Sequence, residues 1–471
     1  MQTSRTKERR EALVKLIESE KYGAAGGGIL LIPGNELSPN SYPSNAYYFR
    51  QDSTFRYLFG VDKPTLFGAI DLDNGSAAYL FGDDVSLDDI IWTGPQKSLV
   101  EIGAEVGIEP QNCKAMCEIP AFLKGRKIHI LPPYRGETKL QLSQLGIGSE
   151  NISAQLIFSV AELREKKSQW EIAEIEKGYL IGYEMHTRAM QMCRTGVVER
   201  EIGGVLEGIA RSRGNGVSFP PICTQHGETL HNTERENVLQ KGRLFLCDAG
   251  AETLSGYCSD HTRTYPISGK FTDIQRDIYN LVLAAQKSVA QKAQPNMLYT
   301  ELQKTAYATL AEGLQQLGFF AATCSVEQII ESGAMRLFMP HGVGHGLGLD
   351  VHDCEAFGER SFADLFDTER FKEASKEVQS CIIRNQWVIS EGTILTNEPG
   401  LYFIPALIER YENGGKHNNI INFARVKKHL DFGGIRIEDD LEITANGARE
   451  IGSDSGKRIP KSVDELESFR G

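Results

Sequence analysis

Four apolar segments in the second half of the chain each carry an acidic or imidazole side chain where a core residue would be expected. They are RLFLCDAG (243–250), MPHGVGHGLGLDVHD (339–353), TILTNEPGLYF (393–403) and GGIRIEDDLEIT (433–444). A charged group among apolar strand residues is costly to bury unless an opposite charge compensates it. The chain is therefore expected to bring these groups together, around positive charge, inside one core.

Each of these groups taken alone has an ordinary explanation. An aspartate at a strand end, such as Asp248, is most often a turn former, and a glutamate before Pro-Gly, such as Glu398, usually lies at a solvated loop edge. The segment IRIEDD alone is most often an edge strand, with Arg436 and Glu438 on one face. Taken together with Asp260, on a predicted return strand over Gly256–Tyr265, they indicate a metal site.

Four carboxylates and one imidazole suit two hard divalent ions better than one zinc ion. Two such ions need bridging carboxylates and supply a nucleophilic water at neutral pH. His345 is the best imidazole ligand, because the glycines around it allow backbone and substrate to approach closely. His341 and His352 then remain to transfer protons or hold substrate. Neither an HExxH zinc motif nor a GxGxxG or GK[ST] phosphate loop is present.

The length of 471 residues predicts two domains, because single cores rarely grow that large. In residues 1–160, GGGILLIPG (26–34) predicts a buried strand, and FGAIDLDNGSAAYLF (67–81) predicts a hairpin turning at Asn74-Gly75. A second domain is predicted over residues 161–471. It enters through a capping box of Ser168 and Glu171 at the start of a helix that stops near Gly196. The charged insert Ser361–Gln379 is predicted to be a surface helix.

The bulk composition limits the partners and the compartment. A net charge of −12 argues against nucleic acid as a general partner. The start, MQTSRTKERREALVK, is too charged for a signal peptide, and no apolar run approaches the ~20 residues of a membrane span. Nine cysteines without a CxxC pair indicate reduced thiols and a cytoplasmic protein. A zinc site at Cys113 and Cys117 would need two further ligands, which the sequence does not offer nearby.

Three further segments carry a resemblance to a known family: YFRQDSTFRYLFGV (48–61), IWTGP (91–95) and AELREKKSQWEIAEI (161–175). With them, and with five ligand types in the same order, nearly the whole chain resembles the metallopeptidases that include Xaa-Pro aminopeptidases and Xaa-Pro dipeptidases. The resemblance implies an α+β fold. A pita-bread catalytic domain, with pseudo-twofold αβ halves and a curved antiparallel sheet, would follow a smaller α/β N-terminal domain.

The resemblance also implies roles for individual residues. Two divalent ions, usually manganese, would be held by Asp248, Asp260, His345, Glu398 and Glu438. His231, His341 and His352 match the active-site histidines, and Tyr402 and Arg436 match positions that hydrogen-bond around the metals. Glu398 is the candidate general base. One departure is that Asp248 and Asp260 are twelve positions apart, one more than in most members; an added residue among 253–255 is expected to change only the turn.

The favoured function is an exopeptidase that removes an N-terminal residue preceding proline. Its partners would be short peptides with proline second, and the resemblance suggests a homodimer or a higher homo-oligomer. An Xaa-Pro dipeptidase remains open, because Arg384 stands where dipeptidases carry an arginine proposed to hold the substrate carboxylate; Arg384 could equally be a surface residue. A metal-free binding protein and a creatinase-like hydrolase are disfavoured, because all five ligand candidates are present.

Overall fold

The computed structural model describes residues 2–22, 25–357, 384 and 387–469. Within these ranges the chain forms two compact units. The first contains residues 2–164 and 354–357, and the second contains residues 165–353, 384 and 387–469. The surface helix predicted at Ser361–Gln379 lies outside the described residues. Among the helices in the described ranges, none has the length and apolar character needed to cross a membrane.

The first unit is built around a five-stranded sheet with helices. The order of the sheet is β6-β5-β4-β1-β7, with β1 parallel to β7 and antiparallel to β4. The strands are β1 Ile29–Pro33, β2 Pro39–Tyr42, β3 Asn45–Ala46, β4 Phe67–Asp71, β5 Ala77–Phe81, β6 Cys113–Lys114 and β7 Ile128–His129. The helices are α1 Gln2–Glu18, α2 Ser53–Phe59, α3 Leu87–Thr93, α4 Leu99–Glu105, α5 Ile119–Leu123, α6 Gly136–Gln144 and α7 Ala154–Glu165.

The predicted buried strand and hairpin of this unit are confirmed. All of Ile29–Ile32 is buried, so β1 is covered on both faces, as its continuous apolar run indicates. The strands β4 and β5 pair antiparallel on either side of the Asn74-Gly75 turn. Gly75 has a φ of +60°, which glycine adopts without a Cβ penalty.

The second unit contains two helix pairs, each followed by strands. The pairs are α8 Gln169–Met192 with α9 Glu199–Arg213, and α10 Asp273–Lys292 with α11 Tyr299–Gln316. Shorter helices are α12 Val326–Ser332, α13 Pro405–Gly414, α14 Phe423–Val426 and α15 Val463–Phe469. The strands are β8 Gly216–Val217, β9 Ile222–Thr224, β10 Leu244–Asp248, β11 Ala251–Glu252, β12 Thr262–Pro266, β13 Met297–Leu298, β14 Val388–Ile389, β15 Ile394–Asn397, β16 Gly400–Tyr402, β17 Gly434–Arg436, β18 Asp439–Thr444 and β19 Gly447–Glu450.

The first helix of the second unit, α8, begins where the sequence predicts but ends earlier than predicted. Ser168 is the N-cap of α8, and the main-chain N–H of Ser168 donates to the Glu171 carboxylate at 2.8 Å, which confirms the capping box. The helix ends at Met192, however, four residues before the predicted stop at Gly196. The main-chain N–H of Gly196 instead donates to the Leu239 carbonyl, so Gly196 belongs to the connection that leads to α9.

Three sets of paired strands bring the acidic segments together. In the first, β10 lies between β12 and β9, with Asp248 opposite Thr262 and Ile222. In the second, β15 pairs with β18, and in the third, β16 pairs with β17. A bridge between Thr262 and Glu438 joins the first set to the segment between β17 and β18. The ends of β10, β15 and β17 therefore meet at one place.

The predicted return strand over Gly256–Tyr265 was wrong in its extent. The strand β12 begins only at Thr262, so Asp260 precedes it. The reason is a long-range contact: the main-chain N–H of Asp260 donates to Asp440 Oδ2 at 3.1 Å rather than to the facing strand. The residues among which the sequence places the added position belong to a turn over 253–256, in which the Leu254 side chain is exposed.

Candidate active site

Three of the predicted ligands form a compact buried cluster. One ligand atom each from Asp260, His345 and Glu438 lie within 4.8 Å of one another. His345 Nε2 is 3.5 Å from Asp260 Oδ2 and 3.7 Å from Glu398 Oε1. Its other ring nitrogen, Nδ1, faces the Gly346 carbonyl at 3.1 Å and therefore carries the proton. The lone pair of Nε2 is thus directed at the carboxylates, as a metal-binding histidine requires.

Two fully buried carboxylate oxygens of the ligand candidates lack a hydrogen-bond partner among the described residues. They are Asp248 Oδ1 and Asp260 Oδ1, both fully buried. Buried polar atoms are hydrogen-bonded in the great majority of cases, so each such oxygen needs an explanation. Carboxylate oxygens and an imidazole nitrogen without protein donors are the ligands that divalent cations prefer. The residues therefore fit a metal site.

The electrostatics of the cluster support the same fit. Burial, followed by the charges of Glu438 and Asp248, raises the pKa of Asp260 well above its usual range. Burial also raises the pKa of Glu438 well above its usual range, with Glu398 and Asp248 adding to the effect. Burial and the charge of Asp248 raise the pKa of Glu398 to about 7. Carboxylates packed in this way need either protons or a cation to offset their mutual repulsion.

A buried hydrogen-bond chain orients one side of the cluster. Arg436 donates from Nη2 to Asp248 Oδ2 at 2.6 Å and from Nη1 to the Tyr402 hydroxyl at 2.9 Å. The Tyr402 hydroxyl lies 2.9 Å from His341 Nε2, while His341 Nδ1 lies 2.7 Å from the Gly342 carbonyl. Burial, together with the charge of Arg436, lowers the pKa of His341 to about 3. His341 is therefore neutral, donates from Nδ1, and accepts the Tyr402 proton at Nε2.

Sequence reasoning did not find two threonines that hold the ligands. The Thr262 hydroxyl donates to Glu438 Oε2 at 2.6 Å, and the main-chain N–H of His345 donates to the Thr396 hydroxyl at 3.1 Å. Strand alternation could have indicated Thr262, because it lies opposite Asp248 on the neighbouring strand. Asn397, which has no obvious place in the sequence pattern, donates from its side-chain amide to the Gln286 carbonyl in α10 at 2.8 Å.

The cluster opens onto a cavity of about 610 Å³. His231, His352 and Arg384 line the cavity together with all five ligand candidates. The His352 ring stacks on the His345 ring with centroids 3.7 Å apart, and Arg384 Nη2 lies 3.4 Å from His352 Nδ1. The apolar part of the lining was not anticipated from the sequence, although the Phe219-Pro220 pair before β9 is a signal for it. It comprises Phe219, Pro220, Ile222, Leu230 and Val351.

All predicted site residues except Tyr402 therefore line the cavity. Tyr402 is connected to the cavity by its hydrogen bonds with Arg436 and His341. Residues 173–445 match the metallopeptidase family M24, and residues 6–127 match the N-terminal domain of aminopeptidase P.

Similar proteins were found over most of the chain. A human Xaa-Pro dipeptidase is 27% identical over 94% of this chain and 88% of its own length. A probable Xaa-Pro aminopeptidase of Aspergillus fumigatus is 30% identical over 89% of this chain and 87% of its own length. The structure of Escherichia coli aminopeptidase P with the inhibitor Pro-Leu is 25% identical, with a TM-score of 0.76 over 100% of this chain and 98% of that one. The predicted family and fold are confirmed: the chain is a hydrolase that belongs to metallopeptidase family M24.

Proposed function

We propose that this enzyme removes the N-terminal residue of peptides whose second residue is proline. The observation that carries the proposal is the convergence of three buried carboxylates, the half-buried Glu398 carboxylate and one imidazole at a cavity. Asp248 Oδ1 and Asp260 Oδ1 lack hydrogen-bond partners among the described residues. The relatives named as Xaa-Pro aminopeptidases, and the aminopeptidase P structure that binds Pro-Leu, support this choice of substrate.

The metal-ligand set of the proposal contains the five residues predicted from the sequence. Asp248, Asp260, His345, Glu398 and Glu438 would hold two divalent ions, for which we propose manganese. When bound, such ions polarise the scissile carbonyl and make water a nucleophile at neutral pH. Arg436 and Thr262 would keep Asp248 and Glu438 in their ligating orientation, since each donates a 2.6 Å hydrogen bond to the respective carboxylate.

The proton transfers are assigned to side chains that line the cavity. Glu398 is the proposed general base, because its carboxylate lines the cavity and lies 3.7 Å from His345 Nε2, next to the proposed metal ligands. His352 and His231 would hold the substrate near the scissile bond and handle the proton of the departing nitrogen. His341, Tyr402 and Arg436 would orient Asp248 through their hydrogen-bond chain. A bond before proline has no N–H, so recognition must use other contacts.

The apolar part of the cavity offers such contacts. Phe219, Ile222, Leu230 and Val351 present aliphatic and aromatic carbon to a space adjacent to the cluster. We propose that the pyrrolidine ring packs there, since burial of an apolar ring is favourable and requires no hydrogen bond.

An Xaa-Pro dipeptidase is the second candidate, and a specific observation favours it. Arg384 lines the same cavity as the cluster, where its guanidinium could hold the terminal carboxylate of a dipeptide. The human relative named as an Xaa-Pro dipeptidase supports this candidate as well.

Further parts of the proposal concern the whole chain. We propose an N-terminal domain over residues 1–160 and a catalytic domain over residues 161–471. We also propose a homodimer or higher homo-oligomer, without nucleic-acid or membrane partners; the net charge of −12 supports the absence of nucleic acid. A cytoplasmic location is supported by the cysteines of the described ranges, none of which forms a disulfide there.

The test compares the hydrolysis of Ala-Pro with that of Ala-Pro-Ala, both with added manganese. The aminopeptidase proposal predicts that the tripeptide is the better substrate. Cleavage of the dipeptide alone would establish the dipeptidase instead. Elemental analysis of the metal-saturated protein should give close to two divalent ions per chain, and a single tetrahedral zinc ion would contradict the proposed ligand set.

A further inference from the structure

A buried ion pair outside the metal cluster lies beside one of the cavity histidines. Lys167 Nζ is 3.0 Å from Asp353 Oδ2, with the two side chains only 3% and 2% exposed. Asp353 directly follows His352 in the chain. A buried pair is costly to form, since both charges lose their hydration, and loss of one partner leaves an uncompensated charge. Such a pair is therefore expected to have a role other than stability alone.

The main chain at Lys167 is attached to the strand that leads to Glu398. The main-chain N–H of Lys167 donates to the Gly392 carbonyl at 2.8 Å, and Lys166 forms a bridge with Thr393, one residue before β15. Gly392 has a φ of +85°, and a Cβ there would lie 3.2 Å from the Lys167 carbonyl oxygen. The close approach of the two segments holds the main chain of Lys167 in place, and the Lys167 side chain that extends from it is only 3% exposed.

Asp353, in turn, closes the loop that carries His352. Its main-chain N–H donates to the Gly346 carbonyl at 2.9 Å, and Oδ1 accepts from the Asp350 N–H at 3.3 Å. At Gly348 a Cβ would lie 2.5 Å from Asp353 Oδ2, so this carboxylate packs tightly against the loop. The loop spans residues 346–353 and connects the two stacked rings of His345 and His352.

His352 itself is exposed on the cavity wall. An exposed imidazole keeps one orientation only if its backbone is held, because its side chain has few buried contacts. We propose that Lys167, through its ion pair with Asp353, is a positioning residue that holds His352 against His345 and toward the substrate. This role rests on the proposed function, in which His352 contacts the substrate or its leaving group.

Steady-state kinetics with Ala-Pro-Ala on the manganese-loaded full chain test the proposal. Lys167→Met should lower kcat by about 10²-fold, the effect of a displacement near 1 Å at a catalytic group. The KM and the metal content should change little. In a His352→Ala background, Lys167→Met should cause no further loss beyond about twofold, because Lys167 then has no catalytic group to position. Full additivity of the two losses would overturn the proposal.

A second variant covers the case in which Lys167→Met does not fold. Lys167→Met combined with Asp353→Asn removes both charges, so no unpaired charge remains buried. This double variant should fold and show the same deficit in kcat; wild-type kcat in it would contradict the proposal. Glu467→Gln is the control, because the Glu467 carboxylate is 9% exposed and pairs with Arg276, which is 37% exposed, and neither residue lines the cavity. It should leave kcat unchanged.

Hydrogen exchange gives a result that does not depend on activity. In the metal-free full chain, the peptide covering residues 346–353 should exchange at least about tenfold faster in Lys167→Met combined with Asp353→Asn than in the wild type. Unchanged exchange would overturn the positioning role. If the wild type cleaves neither Ala-Pro nor Ala-Pro-Ala, the proposed function fails, and the exchange measurement alone decides the role of Lys167.

Discussion

The deep end of the cavity and its outer wall are held by different means. At the deep end, Asp248, Asp260, His345 and Glu438 are all buried. Their charges raise the pKa of Asp260 and Glu438 further, beyond the effect of burial. On the wall, His231 and His352 are exposed. Burial of the deep residues without a cation is therefore unfavourable in free energy. Placing the wall residues costs little free energy, but their side chains need to be oriented.

This difference separates two kinds of function. Carboxylates that repel one another in a buried site are suited to hold cations, because a cation offsets the repulsion while the carboxylates stay ionised. Exposed imidazoles that line the same cavity are suited to exchange protons with substrate, since substrate and solvent can reach them. Substitutions at the deep end should therefore remove metal, and those on the wall should remove activity alone.

The largest effect is expected at Glu438. Glu438→Ala should lose bound metal and nearly all activity, while the N-terminal unit stays folded, because a buried carboxylate ligand is deleted and its partners are left uncompensated. Elemental analysis and peptide hydrolysis measure the two losses. Glu442→Ala is the matched control: Glu442 lies on the adjoining strand β18 and pairs with Arg449, away from the cavity lining. Full metal content in Glu438→Ala would remove Glu438 from the ligand set.

The next largest effect is expected for the two histidines on the cavity wall, His352 and His231. His352→Ala or His231→Ala should lower kcat by about 10²–10⁴-fold, the usual contribution of a positioned acid or base, with unchanged metal content. Kinetics and elemental analysis on the same preparations provide the measurement. Loss of metal in either variant would show that the division between deep and wall residues is wrong.

Glu165 is a buried carboxylate away from the cluster, and it allows the effect of burial on ionisation to be tested separately from metal binding. Burial raises the pKa of Glu165 to about 7, although Trp387 Nε1 donates to it at 2.9 Å. Between the unfolded value near 4.5 and about 7, the folded chain keeps a proton that the unfolded chain releases. The free energy of unfolding should therefore fall as pH rises through this window, by up to ~3 kcal/mol.

The variant Glu165→Gln keeps an oxygen acceptor for Trp387 but cannot ionise. Thermal unfolding of both proteins at pH 5 and pH 8, with equal metal loading, should show the variant gaining stability relative to the wild type at the higher pH. A constant difference between the two proteins at both pH values would show that Glu165 ionises normally in the folded state.

The smallest effect is expected at Arg384. In an aminopeptidase the space beyond proline stays open for the chain, so Arg384→Ala should change KM little for Ala-Pro and for Ala-Pro-Ala. In a dipeptidase, the loss of a charged hydrogen bond would raise KM for Ala-Pro by the equivalent of ~1.5–3 kcal/mol. Arg410→Ala, at an exposed position in α13, is the control. A selective loss for the dipeptide would favour the second candidate function.

Much of the site was predictable because its ionisable residues occur within short sequence motifs. Asp248, Glu398 and Glu438 each end or follow an apolar strand, and a buried charge in such a context needs compensation. The strand β1, the hairpin β4–β5 and the capping box of α8 were likewise predictable, because each depends on residues close together in the chain. Asp260 was assigned to the right group but to the wrong element, since its contact with Asp440 is long-range.

The sequence by itself determined which residue types could hold metal and transfer protons, because their ionisation chemistry and local strand context are properties of the chain. Only the tertiary structure decided how these residues are held. The hydrogen bond from Thr262 to Glu438 joins positions 176 residues apart, and the Lys167–Asp353 pair joins positions 186 apart. The sequence does not indicate which residues pair in either contact, because each pairing depends on where separate strands and loops meet after the core has packed.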